Sequence, residues 1–472
     1  MSETLPNTNS FPLNRSQLST WRCQFFALPN NQLAQNICTI FDPIVASLRD
    51  TQELVLHGEE HHELNKLNKC TIGGPNWICT GLDLLRLGMC KDCELSAPYL
   101  FYWHKLERCN YFLNTVADLL ACCEPVDGRT FQYLMKHAVP DAGNWQMFVN
   151  LIQKYGVMPK ECYRPSWSST CTRHLNMMLK SKLHEYCSQM HAEFTFGQDS
   201  LKLFQMIAKM MEELYKVISI CLGTPSTNFN WKLGDEGKQL ECTPQSFYKR
   251  FIAPHYAIDG QICLGHDPRL SSKYQRNYRI AHSSNMTKGL QQSYNNQPME
   301  VLIQIIVDSL IAGSAVWLAC DLQTTFYDKA EILSLKSHNF EQVFGLSVNT
   351  ALNKAERLFY KATRRNKVLL LTGITLDAMK QPLHFSTKHT VTKTATSTGG
   401  LQLSGTDMEE DGVKRRASGS GKANVLNIDW LKEYAFEIVI DSRFVPPGVM
   451  HALQTQSIVE LPIWDPMGAL LT

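Results

Sequence analysis

The apolar pattern of the chain changes about halfway along its length, and this change limits the folds that the chain can adopt. In the first half, apolar residues recur at three- and four-residue steps, as in Asn76 to Leu87 and in 200–222, and such spacing predicts helices. In the second half, Ala315 to Ala319, Val368 to Leu371 and Phe436 to Ile440 are short runs that predict strands. Helices followed by strands predict an α+β fold with two lobes.

The composition argues against several classes of protein. The chain has 472 residues, of which 44% are hydrophobic and 19% are charged, so it can bury a large core. Its net charge of +2 argues against a dedicated binder of nucleic acids or anionic membranes. No apolar run approaches the ~18 residues that a membrane helix needs, and the first residues lack the layout of a signal peptide. Because the 16 cysteines are scattered along a long chain, we expect reduced thiols and a cytoplasmic location.

One low-complexity segment interrupts the second half. Residues 386–424 contain 18 Ser, Thr or Gly residues among 39 positions and almost no large apolar side chains, so we expect a disordered loop. Two arginines shortly before Ser418 make this serine a candidate phosphosite. The pattern along the chain predicts a loose N-terminal tail at 1–20, a helical lobe at 21–200, a helical insertion at 201–300, and a sheet lobe at 301–385 and 425–472.

Motifs for metals and cofactors are incomplete. Cys90 and Cys93 form one C-x-x-C pair, but no second pair of this spacing follows, so we predict buried thiols rather than a zinc site. His62 and Glu63 resemble the start of H-E-x-x-H, but Lys66 stands at the second histidine position. The charged run from His57 to Glu63 is therefore predicted to be a solvated turn. We expect no metal site and no cofactor.

Several longer segments point to a family. They are Ser96 to Cys109, Glu124 to Arg129, Asp141 to Trp145, Lys154 to Lys160, Tyr294 to Pro298, Gly313 to Asp321 and Trp464 to Leu470. Together these segments resemble the bleomycin hydrolase family of papain-like cysteine aminopeptidases, from about residue 20 to the end apart from the low-complexity loop.

The resemblance implies a papain-like fold with a defined set of catalytic groups. In that family a helical lobe carries the nucleophilic cysteine at a helix N-terminus, and a sheet lobe carries a histidine and an asparagine. The helix dipole and a neighbouring protonated histidine lower the pKa of the thiol. A glutamine six residues before the cysteine helps to form the oxyanion hole, and the asparagine orients the histidine.

This chain departs from the family pattern at each of these positions. With Trp77 holding the register, the nucleophile position is Asn76 and the oxyanion position is Cys70. A carboxamide cannot form the acyl thioester, and a thiol is a weaker hydrogen-bond donor than an amide. The histidine position is Lys367, because it follows the family-like run 353–358 without a gap. The Asn-Ser-Trp element is absent from 384–400, which contains His384, Lys388 and His389 instead.

Other interpretations of these residues remain open. Cys79 could be a displaced nucleophile with His384 or His389 as its base, but it lies roughly 4.5 Å of helix rise from Asn76, whereas reacting groups must come within about 3–3.5 Å. Cys70 as nucleophile would precede the helix and lose its dipole. The structural interpretations are a helix N-cap for Asn76, a buried small residue for Cys79 and a surface lysine at a strand start for Lys367.

The sequence therefore predicts a protein that has kept the family scaffold and lost its chemistry. The family forms hexameric rings, so the resemblance implies a homo-oligomer, or a hetero-oligomer with an active paralogue, that acts as a scaffold or regulator. It also implies that the C-terminal tail with Leu470 and Thr472 enters a cleft beside Trp77, Ala142 and Gly143. The alternative is an aminopeptidase with rearranged residues that acts on peptides or homocysteine thiolactone.

Overall fold

The computed structural model describes ten ranges of the chain, and these divide into two compact units. One unit comprises 1–55 with 323–353, and the other comprises 56–322 with 354–472. None of the helices within the described ranges combines the length and the apolar character that crossing a membrane requires. The described residues are 12–50, 54, 57–64, 70–89, 93–196, 200–233, 238–322, 332–348, 351–388 and 424–471.

The elements are numbered in chain order. The helices are α1 (Arg15–Ala27), α2 (Pro29–Cys38), α3 (Pro43–Ala46), α4 (Asn76–Leu87), α5 (Ala97–Ala121), α6 (Arg129–Lys136), α7 (Trp145–Tyr155), α8 (Trp167–Thr170), α9 (Arg173–Phe196), α10 (Ser200–Leu222), α11 (Pro244–Phe251), α12 (Met299–Ile311), α13 (Phe340–Phe344), α14 (Lys354–Phe359), α15 (Ile428–Tyr434) and α16 (Pro447–Thr455). The strands are β1 (Glu60–Glu63), β2 (Phe229–Leu233), β3 (Lys238–Cys242), β4 (Gln261–Gly265), β5 (Asn277–Ile280), β6 (Ser293–Asn296), β7 (Val316–Cys320), β8 (Ile332–Leu333), β9 (Lys367–Leu376), β10 (Pro382–Lys388), β11 (Asn424–Asn427), β12 (Ala435–Asp441) and β13 (Ile458–Leu461).

The smaller unit is built from short helices with little core. Helix α1 begins after Asn14, whose side chain accepts from the Gln17 N–H while the Gln17 side chain accepts from the Asn14 N–H, so the two form a capping box. Neither α1 nor α2 contains a buried residue. Residues 1–20 were expected to form a loose tail, but from Arg15 onwards they belong to α1. The reason is that the Asn-x-x-Gln cap specifies a helix start at this point.

The helical part of the larger unit is organised around α5. This helix of 25 residues begins at the Ser96 cap, and α4, α7, α9 and α10 pack against it. The predicted helix at Asn76 to Leu87 is confirmed as α4. Because most of α4 is buried, including Trp77 and Leu85, its sequence is apolar on more than one face.

The larger unit also contains a mixed sheet. Its strands follow the order β13-β5-β6-β4-β12-β7-β9-β10-β11, and β1 pairs with β9. The strands predicted at 315–319, 368–371 and 436–440 correspond to β7, β9 and β12, and β7 is buried throughout. Helices α4 and α12 both pack on β9. The continuous apolar sequences of these strands are thus explained by burial on the sheet.

Residues 201–300 were predicted as a helical insertion, but the structure also places five strands there, β2 to β6. Some of these strands are held by buried amide side chains rather than by apolar alternation. Across the β5–β6 pair, Asn295 Nδ2 donates a hydrogen bond to Asn277 Oδ1 at 2.7 Å. A strand such as Ser293–Asn296 therefore has no apolar period that sequence inspection can detect.

Two further segments differ from expectation. The run from His57 to Glu63, predicted as a solvated turn, ends in β1, which pairs antiparallel with the buried strand β9. Within the predicted disordered loop, Ser386 to Lys388 belong to β10 and Asn424 begins β11. The remainder of that loop, with His389 and Ser418, lies outside the described residues.

Candidate functional site

The head of α4 is joined to the first residues of β9 by the side chain of Asn76. Its Oδ1 accepts a hydrogen bond from the Val368 N–H at 2.8 Å, and its Nδ2 donates to Thr80 Oγ1 at 3.3 Å. The N-cap position is occupied by Pro75, whose φ of −58° and ψ of 147° are extended, and Asn76 is already the first helical residue. The N-cap interpretation of Asn76 is therefore wrong, since this carboxamide bonds a distant strand.

The structure brings Asn76 close to Lys367, because Asn76 accepts a hydrogen bond from the residue that follows Lys367. Lys367 is the first residue of β9 and is half-buried, and it directly precedes the Val368 that bonds Asn76. The two positions singled out by sequence are thus adjacent through this hydrogen bond, although 292 residues separate Asn76 from Val368 along the chain.

Cys79 lies deeper in the core than a nucleophile requires. Its side chain is completely buried, and Sγ donates to the Gly74 carbonyl at 3.4 Å. Burial raises the pKa of the Cys79 thiol far above its ordinary value, and the nearby Asp83 carboxylate raises it further. Because the thiolate is the nucleophilic form, this environment keeps Cys79 in its unreactive state.

His384 does not supply a base of ordinary strength. It is buried on β10, opposite Thr375 of β9 and Asn427 of β11. Burial lowers the pKa of His384, and the neighbouring His61 lowers it further. Its imidazole is therefore a weaker base than an exposed histidine.

The loop before α4 is fixed by a buried acid. The Thr71 N–H and hydroxyl both donate to Asp83 Oδ1, at 2.9 and 2.6 Å, and Arg86 Nη1 donates to the same oxygen at 2.9 Å. Burial raises the pKa of Asp83, whereas Thr71 and Arg86 oppose this effect. The half-buried Cys70, at the predicted oxyanion position, immediately precedes Thr71 and is held in place with it.

Lys388 is the last described residue of β10, where it lies opposite Leu370 of β9. Burial lowers the pKa of its ammonium group, and the Cys70 thiol and the Asp83 carboxylate act in the opposite direction. In the sequence Lys388 was noted only as a neighbour of the missing asparagine element.

A second loop packs against the indole of Trp77. Trp77 is completely buried, and its Nε1 donates to the Asp141 carbonyl oxygen at 2.9 Å. The Asp141 carboxylate forms an ion pair with the fully buried Lys105, which also donates to Asn176 Oδ1 at 2.7 Å. Burial opposes ionisation of Asp141, but the Lys105 ammonium outweighs it, so the pKa of Asp141 is lowered. These contacts fix the loop that carries Gly143.

The C-terminal segment pairs with this loop through one isolated antiparallel β-bridge between Gly143 and Leu471. The Leu471 N–H donates to the Gly143 carbonyl at 2.8 Å, and the Gly143 N–H donates to the Leu471 carbonyl at 3.0 Å. Leu471 is completely buried and Ala142 is buried, whereas Leu470 is half-buried. Thr472 lies outside the described residues. The structure thus brings together Trp77, Gly143 and the end of the chain.

Two arginines that the sequence analysis missed hold the C-terminal segment. Arg365 donates from Nε to the Ala469 carbonyl at 3.0 Å and from Nη1 to Glu437 at 2.6 Å. Arg269 bonds Asp465 at 2.9 Å through Nη2. The sequence signal that could have revealed Arg365 is Glu437, which stands among the apolar residues of β12. A carboxylate in a buried strand requires a partner.

Comparison with known proteins gives one family. Residues 12–410 and 415–468 match the model of the peptidase C1-like family. The chain is 32% identical over 483 residues to bleomycin hydrolase of Gallus gallus, across 98% of this chain and 99% of the relative. It is 33% identical to bleomycin hydrolase of Homo sapiens, across 94% and 95%. It is 26% identical to aminopeptidase C of Listeria monocytogenes, across 87% and 88%.

A solved structure shares the fold. The crystal structure of PepW from Lactobacillus rhamnosis superposes with a TM-score of 0.83 at 22% identity, covering 97% of this chain and 99% of that chain. At this identity the similarity concerns architecture alone. The α+β fold predicted from the sequence is confirmed.

Proposed function

Because this chain belongs to the peptidase C1-like family, as its resemblance to bleomycin hydrolases predicted, we propose that it is a member without cysteine-peptidase activity that acts as a scaffold or regulator. The observation that carries the proposal is Asn76 at the head of α4, where a papain-like enzyme needs a cysteine. A carboxamide has no acidic proton to lose at neutral pH and forms no acyl intermediate.

The remaining groups around Asn76 support the same conclusion. We assign Lys367 to the histidine position, where a lysine ammonium supplies hydrogen-bond donors and no acceptor. We assign Cys70 to the oxyanion position. Cys79, the candidate displaced nucleophile, is buried with a raised thiol pKa, so a thiolate does not form readily there.

We also propose that the C-terminal segment occupies the cleft of this protein. The paired hydrogen bonds between Gly143 and Leu471 are those that an extended peptide would form with the same loop. The contacts of Arg365 with Ala469 and of Arg269 with Asp465 support a segment that stays in place. A peptide substrate would have to displace it.

Self-assembly in the cytoplasm completes the proposal, as a hexamer of this chain or as a mixed oligomer with an active paralogue. Helices α1 and α2 support it, because they bury none of their residues and expose large apolar side chains such as Trp21, Phe26 and Leu33. Helices without a buried face are marginal on their own, so a second chain covering them would stabilise them.

The proposal is tested by an aminopeptidase assay combined with a thiol-directed probe. We expect no hydrolysis of aminoacyl fluorogenic substrates or of homocysteine thiolactone. We also expect that a substrate analogue does not reduce labelling by the thiol probe. The matched control is a Cys70→Ala, Cys79→Ala double variant, which exposes any contaminating peptidase. Turnover in the native chain that is lost in this double variant would instead establish an aminopeptidase with rearranged residues.

A further inference from the structure

The carboxamide of Asn76 is used at both of its ends. Its oxygen accepts from the Val368 N–H at 2.8 Å and its nitrogen donates to Thr80 Oγ1 at 3.3 Å. Asn76 is 2% exposed, Thr80 is 4% exposed and Val368 is completely buried. All of the atoms involved are therefore removed from water, where a lost hydrogen bond is not replaced by a solvent molecule.

Val368 lies where β9 enters the sheet. On one side, β9 pairs with β7, with Val368 opposite Ala319. On the other side, the described pairing with β10 ends at Lys388 opposite Leu370, two residues further along β9. The acceptor that the structure provides for the Val368 N–H is the Asn76 side chain, so a side chain from α4 takes the place of a neighbouring strand.

We propose that Asn76 is a structural tie between α4 and β9, formed by its hydrogen bond to Val368, which fixes the head of the helix against the start of the strand. This α4–β9 tie is a role beyond the absence of a nucleophile, and it holds whether or not the chain hydrolyses any substrate. A cysteine at this position has a shorter side chain and a weakly accepting sulfur. It would leave the buried Val368 N–H without a good acceptor.

The tie is tested by native-state hydrogen exchange at the Val368 amide. In Asn76→Ala and Asn76→Cys we expect this amide to exchange at least about tenfold faster than in the native chain, because its acceptor is gone. Asn76→Asp keeps an oxygen at the same place and should retain most of the protection. Thr80→Val removes only the weaker hydrogen bond and is the matched control, with protection at Val368 close to that of the native chain.

Two results would overturn the proposal. Unchanged exchange at Val368 in Asn76→Ala or Asn76→Cys would mean that the carboxamide does not hold this amide. Retained protection in Asn76→Leu, which keeps roughly the volume of the side chain but offers no acceptor, would mean that packing volume, rather than the acceptor, is responsible. If Asn76→Ala does not fold, the comparison of Asn76→Asp with Asn76→Leu decides between the same two explanations.

Discussion

Replacing Gly143 by alanine should destabilise the site through a steric conflict with Trp77. A Cβ on Gly143 would lie 2.5 Å from Trp77 Cε2 and Cζ2, well inside van der Waals contact. The indole cannot easily move away, because it is completely buried and donates to the Asp141 carbonyl. Overpacking of this kind costs about 1–3 kcal/mol, and loss of the indole hydrogen bond would add about 0.5–1.5 kcal/mol. We therefore expect Gly143→Ala to lose about 1.5–4.5 kcal/mol of unfolding free energy.

The measurement is the urea unfolding of Gly143→Ala and of the native chain, with tryptophan fluorescence as the signal. Gly448→Ala is the matched control, because a Cβ there meets no atom within 4 Å. Gly448 lies in α16, so alanine there should leave the unfolding free energy unchanged or raise it by up to about 1 kcal/mol. If Gly143→Ala unfolds at the same urea concentration as Gly448→Ala, the packing argument for the Trp77 loop fails.

Three other perturbations have defined outcomes. Asn76→Cys alone should give no aminopeptidase activity in a fluorogenic assay. Adding Cys70→Gln and Lys367→His should give no more than a trace of activity, because the orienting asparagine is missing. Robust turnover by the single variant would mean that the base has been assigned to the wrong residue. Arg365→Gln should loosen the C-terminal segment, so that carboxypeptidase releases Leu471 faster than from the native chain; equal release rates would show that Arg365 does not hold it. Light scattering should give the mass of a hexamer, and the mass of one chain would contradict assembly.

The sequence predicts those parts of the fold that depend on local apolar pattern. The bounds of α4 could be read from its spacing, and β7, β9 and β12 from their runs of β-forming residues. These elements lie in the core, where burial dictates residue type. Strands such as β6 were missed because amide hydrogen bonds, including that between Asn295 and Asn277, replace apolar packing.

The site is less predictable than the core because its contacts are remote in sequence. Sequence patterns place Asn76 at a helix start, but they do not reveal that its partner is Val368, 292 residues away. The same holds for Arg365, whose partners lie on β12 and in the C-terminal segment. Conversely, α1 was missed although its Asn14–Gln17 capping box is a local signal that a closer inspection finds.

The long separation between Asn76 and Val368 also bears on how the protein folds. Closing so large a loop costs chain entropy, so contacts of this kind are expected to form after α4 and the local strand pairs are in place. Interactions absent from the transition state change the unfolding rate more than the folding rate. The α4–β9 tie should therefore mainly slow unfolding. It should determine how long the assembled site persists rather than how quickly it forms.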